Sequence, residues 1–255
     1  MAAPDQAVAW ACRIKFYMVV LALDTTTRQG SAALTRDGAL LGAFTGDPTV
    51  THGQRLPGDL LRLLSAHALR MMDVDLFAVA AGPGSFTGLR IGIATQQGLA
   101  LANNRPLIGV SALDAVHHTA RLASPPPPRS DSAGDVGVWM DAQRGQVFSA
   151  LYSGEDVVDG PTVEKPGDAL ARWATLDGGA GGARLFVGDG AIAYATLIRG
   201  AFPDALIVAD LPPLAPSIAC LAEAHVREHG PAPPDAIRPI YVRRSDAELA
   251  RDRVR

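Results

Sequence analysis

Apolar residues along this chain fall into runs of two kinds, and their order predicts an α/β protein. The first run, Met18-Val19-Val20-Leu21-Ala22-Leu23, has no polar break and ends at Asp24-Thr25-Thr26-Thr27. A short continuous run of this kind reads as a central strand buried on both faces. Residues 30–34 and 39–44 follow, separated by Arg36-Asp37-Gly38, and Asp-Gly between two apolar runs predicts a hairpin. Over residues 54–71 the period changes: Leu56, Leu60, Leu63, Leu64 and Ala68 recur every three or four positions, which predicts an amphipathic helix. A second buried strand at 76–80 runs into Gly82-Pro83-Gly84-Ser85-Phe86-Thr87-Gly88, which opens a helix over 89–102. A short strand at 107–110 and a helix from Ser111 to about Leu122 complete the first half.

The pattern then repeats. Val136-Gly137-Val138-Trp139-Met140 and residues 146–152 predict strands, and residues 168–174, 191–199 and 217–228 predict helices. The Pro-rich segment 124–129 and the Gly-rich segment 178–182 predict loops. Two α/β lobes of related design are expected: residues 18–112 and residues 113–255, with the last helix placed to return to the first lobe. Residues 1–17 read as an extension ahead of the fold or as an upstream start codon, with Met18 as the natural beginning.

Composition narrows the function classes. Apolar residues make up 48% of the 255 residues and the net charge is −3, so a large core is available and no basic stripe offers RNA phosphates a track. Cys12 and Cys220 are isolated and outside any metal spacing, which fits a reducing cytoplasm. No run reaches the roughly 18 apolar residues of a membrane span. The apolar stretch Val8-Ala9-Trp10-Ala11-Cys12 is too short for a signal peptide, and Asp5 stands where basic residues would be needed.

The glycine loop at 82–88 could cradle an anion at a helix start. It lacks the Gly-Lys-Ser/Thr of a Walker A loop and has one residue too many for the Rossmann fingerprint, so a tight turn whose glycines serve packing is the plainer reading. Asp24, Thr25 and Thr26 could hold a metal–phosphate group or close a turn. Gly188-Asp189-Gly190, with Asp189 at a helix start, offers the same two readings. Ser85 lacks the glycine spacing of a nucleophile elbow. His52 has Arg55 and Leu56 where a helical metal pair needs its second ligand, and His117 and His118 are adjacent and diverge. His225 and His229 do have helical i, i+4 spacing, beside Glu228 near a helix end, where solvated side chains are expected.

Taken in order, several motifs resemble the TsaB (YeaZ) family. They are Leu21-Ala22-Leu23-Asp24-Thr25-Thr26-Thr27, Thr51-His52-Gly53-Gln54-Arg55-Leu56-Pro57, Gly82-Pro83-Gly84-Ser85-Phe86-Thr87-Gly88-Leu89-Arg90-Ile91-Gly92, Met140-Asp141-Ala142-Gln143-Arg144-Gly145-Gln146-Val147-Phe148, Gly188-Asp189-Gly190 and Pro239-Ile240-Tyr241-Val242-Arg243-Arg244-Ser245-Asp246-Ala247-Glu248. The resemblance implies a two-lobed actin/Hsp70/sugar-kinase-like fold, each lobe a mixed sheet flanked by helices. It implies a non-catalytic scaffold for threonylcarbamoyl transfer to the tRNA adenosine next to the anticodon, with TsaD and TsaE as partners, tRNA reached only through the complex, and a homodimer when alone. No cofactor, metal or catalytic residue is implied. TsaD-like catalysts hold a metal with a His-x-x-x-His pair, which here reads His52-x-x-x-Leu56. The interface expected from the first-lobe helices comprises Leu60, Leu63, Leu64, Ile91, Thr95, Gln96 and Leu99, with Gly92, Ala94, Gly98 and Ala100 allowing close approach. Asp24, Thr25, Thr26, Gly188, Asp189 and Gly190 form the expected vestigial nucleotide set. A nucleotide-dependent enzyme of the same fold, and a metallopeptidase, remain the alternative classes.

Overall fold

The computed structural model describes residues 17–123, 135–176, 185–208 and 210–243. The extension at 1–16, the loops at 124–129 and 178–182, and the end of the last motif lie outside these residues. The chain divides into two compact units, one drawn from residues 1–123 and 212–239, the other from 124–211 and 240–255. The division falls after Ala123, so the helix that follows residue 111 belongs to the first unit, as does the last helix.

The first unit is built on β1 (Val19–Asp24), β2 (Ser31–Arg36), β3 (Ala39–Thr45), β4 (Leu76–Gly82) and β5 (Leu107–Ser111), in the order β3-β2-β1-β4-β5. The β1-β2-β3 meander is antiparallel, while β4 and β5 add in parallel. Its helices are α1 (His52–Ala66), α2 (Phe86–Ala102), α3 (Ala112–Ala123) and α7 (Ala215–His229). Side chains alternate across a strand, and this explains the unbroken apolar run in β1. Val19, Leu21 and Leu23 pack with Leu56, Leu60, Leu63 and Leu64 of α1 and Ile93 of α2. Val20 and Ala22 pack on the other face with Ala115 of α3 and Ile218, Ala219 and Ala222 of α7. Small residues at Ala22, Ala78, Ala219 and Ala222 let α7 lie close to the sheet. Hydrogen bonds from Ala215 N–H to Ser31 Oγ (3.1 Å) and from Gly38 N–H to Glu223 Oε2 (3.0 Å) fix its position along the strands.

The second unit repeats the plan. Its strands are β6 (Val136–Asp141), β7 (Val147–Ser153), β8 (Asp156–Glu164), β9 (Leu185–Val187) and β10 (Leu206–Ile207), in the order β10-β9-β6-β7-β8. This is the first sheet's order read from the other edge: an antiparallel meander β6-β7-β8 followed by two parallel strands. Trp139, Trp173 of α4 (Pro166–Leu176) and Phe186 form its aromatic centre, with ring centroids 5.5–5.9 Å apart. Two units of one strand order, each a mixed sheet flanked by helices, are the duplicated design of the actin/Hsp70/sugar-kinase fold.

Several elements depart from the sequence reading. β8 is not signalled, because Gly160 and Pro161 interrupt it and acidic residues flank it; an edge strand tolerates all three. The two-residue β10 is too short to signal itself. The helix expected over 191–199 is two, α5 (Asp189–Ala193) and α6 (Ala195–Ala201), broken at Tyr194, which packs against the second core. α1 ends at Ala66, five residues before the expected Met71, in a Schellman closure: Leu69 N–H donates to Leu64 carbonyl and Ala68 N–H to Ser65 carbonyl. The left-handed position that glycine would mark is held by Ala68, at φ 53°.

These contacts generate two expectations. Ala68→Gly relieves the left-handed alanine and raises unfolding free energy by about 0.5–1 kcal/mol, read by urea denaturation. The second concerns His118, half-buried on α3, whose Nδ1 lies 3.0 Å from Ser217 Oγ on α7. Burial, and then Arg121, lowers its pKa from the ordinary 6.5, so the fold disfavours the charged ring. Its contribution is therefore complete above pH 6.5 and is lost as pH falls toward the depressed value. Melting temperature is expected to drop below that pH, with a shallower slope in His118→Gln.

Candidate functional site

The carboxyl ends of β1 and β4 converge on the segment where a ligand site is expected in an open α/β sheet. Asp24 ends β1, and its Oδ1 accepts hydrogen bonds from Thr26 N–H (2.8 Å) and Thr26 Oγ1 (2.6 Å), closing a tight turn. Asp24, Thr25 and Thr26 are all buried. From the β4 side, Ser85 N–H donates to Thr26 carbonyl at 2.8 Å, and Ser85 Oγ caps α2 by accepting from Gly88 N–H at 3.2 Å. α2 then leaves with Gly88 and Gly92 turned toward Thr25. A Cβ at Gly88 would fall on the Thr25 carbonyl, and one at Gly92 on Thr25 Oγ1. The glycines of this loop are therefore occupied by the chain's own threonines, which is the packing reading of the motif.

The second unit uses the same device. Asp141 ends β6 and accepts from Gln143 N–H (2.9 Å) and Gln143 Nε2 (2.6 Å). Asp189 Oδ1 accepts from Asp141 N–H and Gly190 N–H, both at 2.9 Å. Gly188, at φ 101°, lies where a Cβ would meet the Trp139 carbonyl. So Gly188, Asp189 and Gly190 bind the start of α5 to the end of β6, as Gly88 and Gly92 bind α2 to the end of β1. Each unit brings its half of the expected nucleotide set together by internal packing.

A third cluster lies on α1. His52 Nε2 is 2.9 Å from Thr27 carbonyl, and its Nδ1 is 2.9 Å from Arg55 Nη2. One tautomer satisfies both: Nε2–H donates to the carbonyl and the Nδ1 lone pair accepts from the guanidinium. Arg55, itself buried, also pairs with Asp59 at 2.9 Å and donates to Gln29 carbonyl. Arg62 pairs with the other carboxylate oxygen of Asp59. The His52 side chain thus has no lone pair left for a metal, and Leu56, one turn on, is buried in the core. Among the described residues no group of three His, Cys, Asp or Glu side chains is placed to share a metal ion. Beside this cluster an open concavity of about 540 Å³ is lined by Phe44, Val50 and Leu63 together with Asp47, Asp59 and Arg62. The sequence reading missed the structural use of Arg55 and Asp59; their signal was a polar stripe at 52, 55 and 59 on the helix face that also carries Leu56, Leu60 and Leu63.

The expected interface residues divide by burial. Leu60, Leu63, Leu64 and Gln96 are taken up by the first unit's own core. Gln96 is completely enclosed, and its Nε2 donates to Leu21 carbonyl (3.2 Å) and Ala78 carbonyl (3.0 Å), joining α2 to both central strands. Ile91, Thr95 and Leu99 are half-buried. Uncharged outward positions of these helices include Leu61 on α1 and Thr87, Ala94, Gly98 and Leu101 on α2, with Phe86 at the start of α2; Arg62 and Arg90 are also exposed.

Comparison with known proteins identifies the family. The family model for TsaD, tRNA N6-adenosine threonylcarbamoyltransferase, matches residues 49–250. The tRNA threonylcarbamoyladenosine biosynthesis protein TsaB of Escherichia coli is 37% identical over 139 residues, which are 54% of this chain and 57% of that protein. The solved structure of YeaZ from Pseudomonas aeruginosa is 27% identical, superposes with a TM-score of 0.68, and is matched over 88% of this chain and 99% of its own. This chain belongs to the TsaB (YeaZ) branch of the TsaD family. TsaB of Bacillus subtilis, 28% identical over 159 residues, covers 62% of this chain and 66% of its own. The chain is thus matched over little more than half the length of its E. coli TsaB relative.

The two kinds of glycine in α2 give opposite expectations. Gly88→Ala drives a methyl group into the Thr25 carbonyl and is expected to cost about 1–3 kcal/mol. A methyl group at Gly98 would meet nothing within 4 Å, so Gly98→Ala is expected to stabilise by about 0.5–1 kcal/mol through helix propensity. Chemical denaturation of the two variants side by side reads both signs.

Proposed function

We propose that this chain is a non-catalytic subunit of the tRNA threonylcarbamoyladenosine machinery, which binds and stabilises a TsaD-type transferase and helps recruit a TsaE-type ATPase. The observation that carries the reading is the state of His52: both ring nitrogens are engaged, by Thr27 carbonyl and by Arg55, and Leu56 stands buried where the pair's second histidine would be. A protein of this family without that pair is suited to holding a catalytic relative rather than transferring the group itself. The packing of Thr25 onto Gly88 and Gly92 supports the same reading, since it fills the close-approach surface that a nucleotide phosphate would use. The nearly neutral charge supports contact with tRNA through the complex rather than by this chain alone. Among the described residues no helix is long and apolar enough to cross a membrane, which fits work in the cytoplasm, where tRNA is modified.

The docking face in this reading is the outward side of α1 and α2. Thr87, Ile91, Ala94, Gly98 and Leu101 recur at helical spacing along α2, and the small residues at 94 and 98 let another helix approach closely. The same face would serve a second copy of this chain in a homodimer, so homodimer and heterodimer would compete.

The test is size-exclusion chromatography with light scattering on the chain alone and mixed with the TsaD-type protein of the same genome. A homodimer that converts to a one-to-one complex is expected. Leu101→Glu, at an exposed position, should leave the melting temperature nearly unchanged and weaken the complex at least about tenfold. The reading is overturned if no complex forms with the ATPase, nucleotide and magnesium present, or if the chain alone turns over ATP or transfers the threonylcarbamoyl group.

A further inference from the structure

The proposed function leaves unused the pair His225 and His229, which lie in the last turns of α7 on the exposed side of the helix. Val226, between them, packs into the core and anchors this end of the helix, so the two imidazoles are carried on fixed backbone. Their rings stack with centroids 4.6 Å apart and planes 24° from parallel. Two imidazoles one helical turn apart can present nitrogen donors to a single ion.

Three neighbouring features favour a cation there. The Glu228 carboxylate lies 3.9 Å from His229 Nδ1. At that distance no hydrogen bond fixes the tautomer; the carboxylate contributes negative charge near the ring, which favours a cation. The pair also sits at the carboxyl end of a 15-residue helix, where the backbone dipole favours positive charge. Arg227, the one cationic side chain between them in sequence, is turned to Glu223 and its charge is held there.

We propose that His225 and His229 form a surface chelate for a divalent transition-metal cation of the Cu(II), Ni(II) or Zn(II) class, with water completing the coordination. Two neutral nitrogen donors suit these ions and not Mg(II) or Ca(II), which require oxygen ligands. The site is remote in sequence from His52 and does not depend on the proposed function.

The test is isothermal titration of the whole chain with CuCl2, NiCl2, ZnCl2 and MgCl2 in a non-chelating buffer, with circular dichroism to verify folding of each variant. One site per chain is expected, tightest for Cu(II) and silent for Mg(II). His225→Ala and His229→Ala should each weaken it at least about tenfold. Glu228→Gln, which removes only nearby negative charge, should weaken it less than either histidine variant. His67→Ala, at the end of α1, should have no effect. In the Cu(II) complex, electron paramagnetic resonance should show coupling to two nitrogens in the wild type and the loss of that signal in either histidine variant. Absence of saturable binding at millimolar metal, or equal binding by the folded His225→Ala/His229→Ala double variant, overturns the proposal.

Discussion

The contact between the turn at the end of β1 and the bare backbone of α2 is the constraint on which the first unit depends. Asp24 folds the chain back through its hydrogen bonds to Thr26, and this places Thr25 and the Thr26 carbonyl against the loop that follows β4. Only helix positions without a Cβ can occupy the space that remains, and Gly88 and Gly92 are those positions. With α2 held so close, Gln96 reaches the carbonyls of Leu21 and Ala78 and satisfies groups at the sheet's centre. α1 then closes the same face with Leu56, Leu60, Leu63 and Leu64. The outward surface of the two helices follows from that arrangement.

Duplication explains why a motif that looks like a ligand loop can be structural. Both units end their first strand in an aspartate that closes a turn, and both start a helix from a glycine turn pressed against that strand. The repeated need is to bring a helix start within backbone contact of a strand end. Threonine side chains and peptide carbonyls occupy that close approach. Among the described residues Thr25 Oγ1, fully buried opposite Gly92, has no hydrogen-bond partner inside this packed contact.

His52 shows how a helix histidine can be taken up by its own surroundings. With Leu56 at the next turn, the imidazole has no second ring to share an ion with, and its lone pair goes to Arg55. Arg55 in turn holds Gln29 carbonyl and Asp59, so this stretch of α1 is tied to the loop between β1 and β2. A buried guanidinium without such partners would be strongly unfavourable. The cluster therefore anchors α1 by hydrogen bonding to the loop between β1 and β2.

Sequence alone determined the strands that are buried on both faces, the change of period at α1, the hairpin at Asp37-Gly38 and the repetition of the pattern in two lobes. These are legible because a continuous apolar run or a 3.6-residue period has few alternative uses. The leucines of α1 and the glycines of α2 were equally visible, yet their roles were not. A leucine facing the chain's own core and one facing a partner have the same spacing, and only packing assigns Leu60 and Leu64 to the interior and leaves Leu61 and Leu101 outside. Gly88 and Gly98 likewise read alike as letters; contact with Thr25 at one and open space at the other separates them. The end of α1 and the strand β8 were hidden for a local reason, since Ala68 takes a glycine conformation and an edge strand accepts Gly160 and Pro161. What tertiary structure decided, then, was which face each periodic position turns to and what meets it there, because burial is a property of neighbours that are distant in sequence.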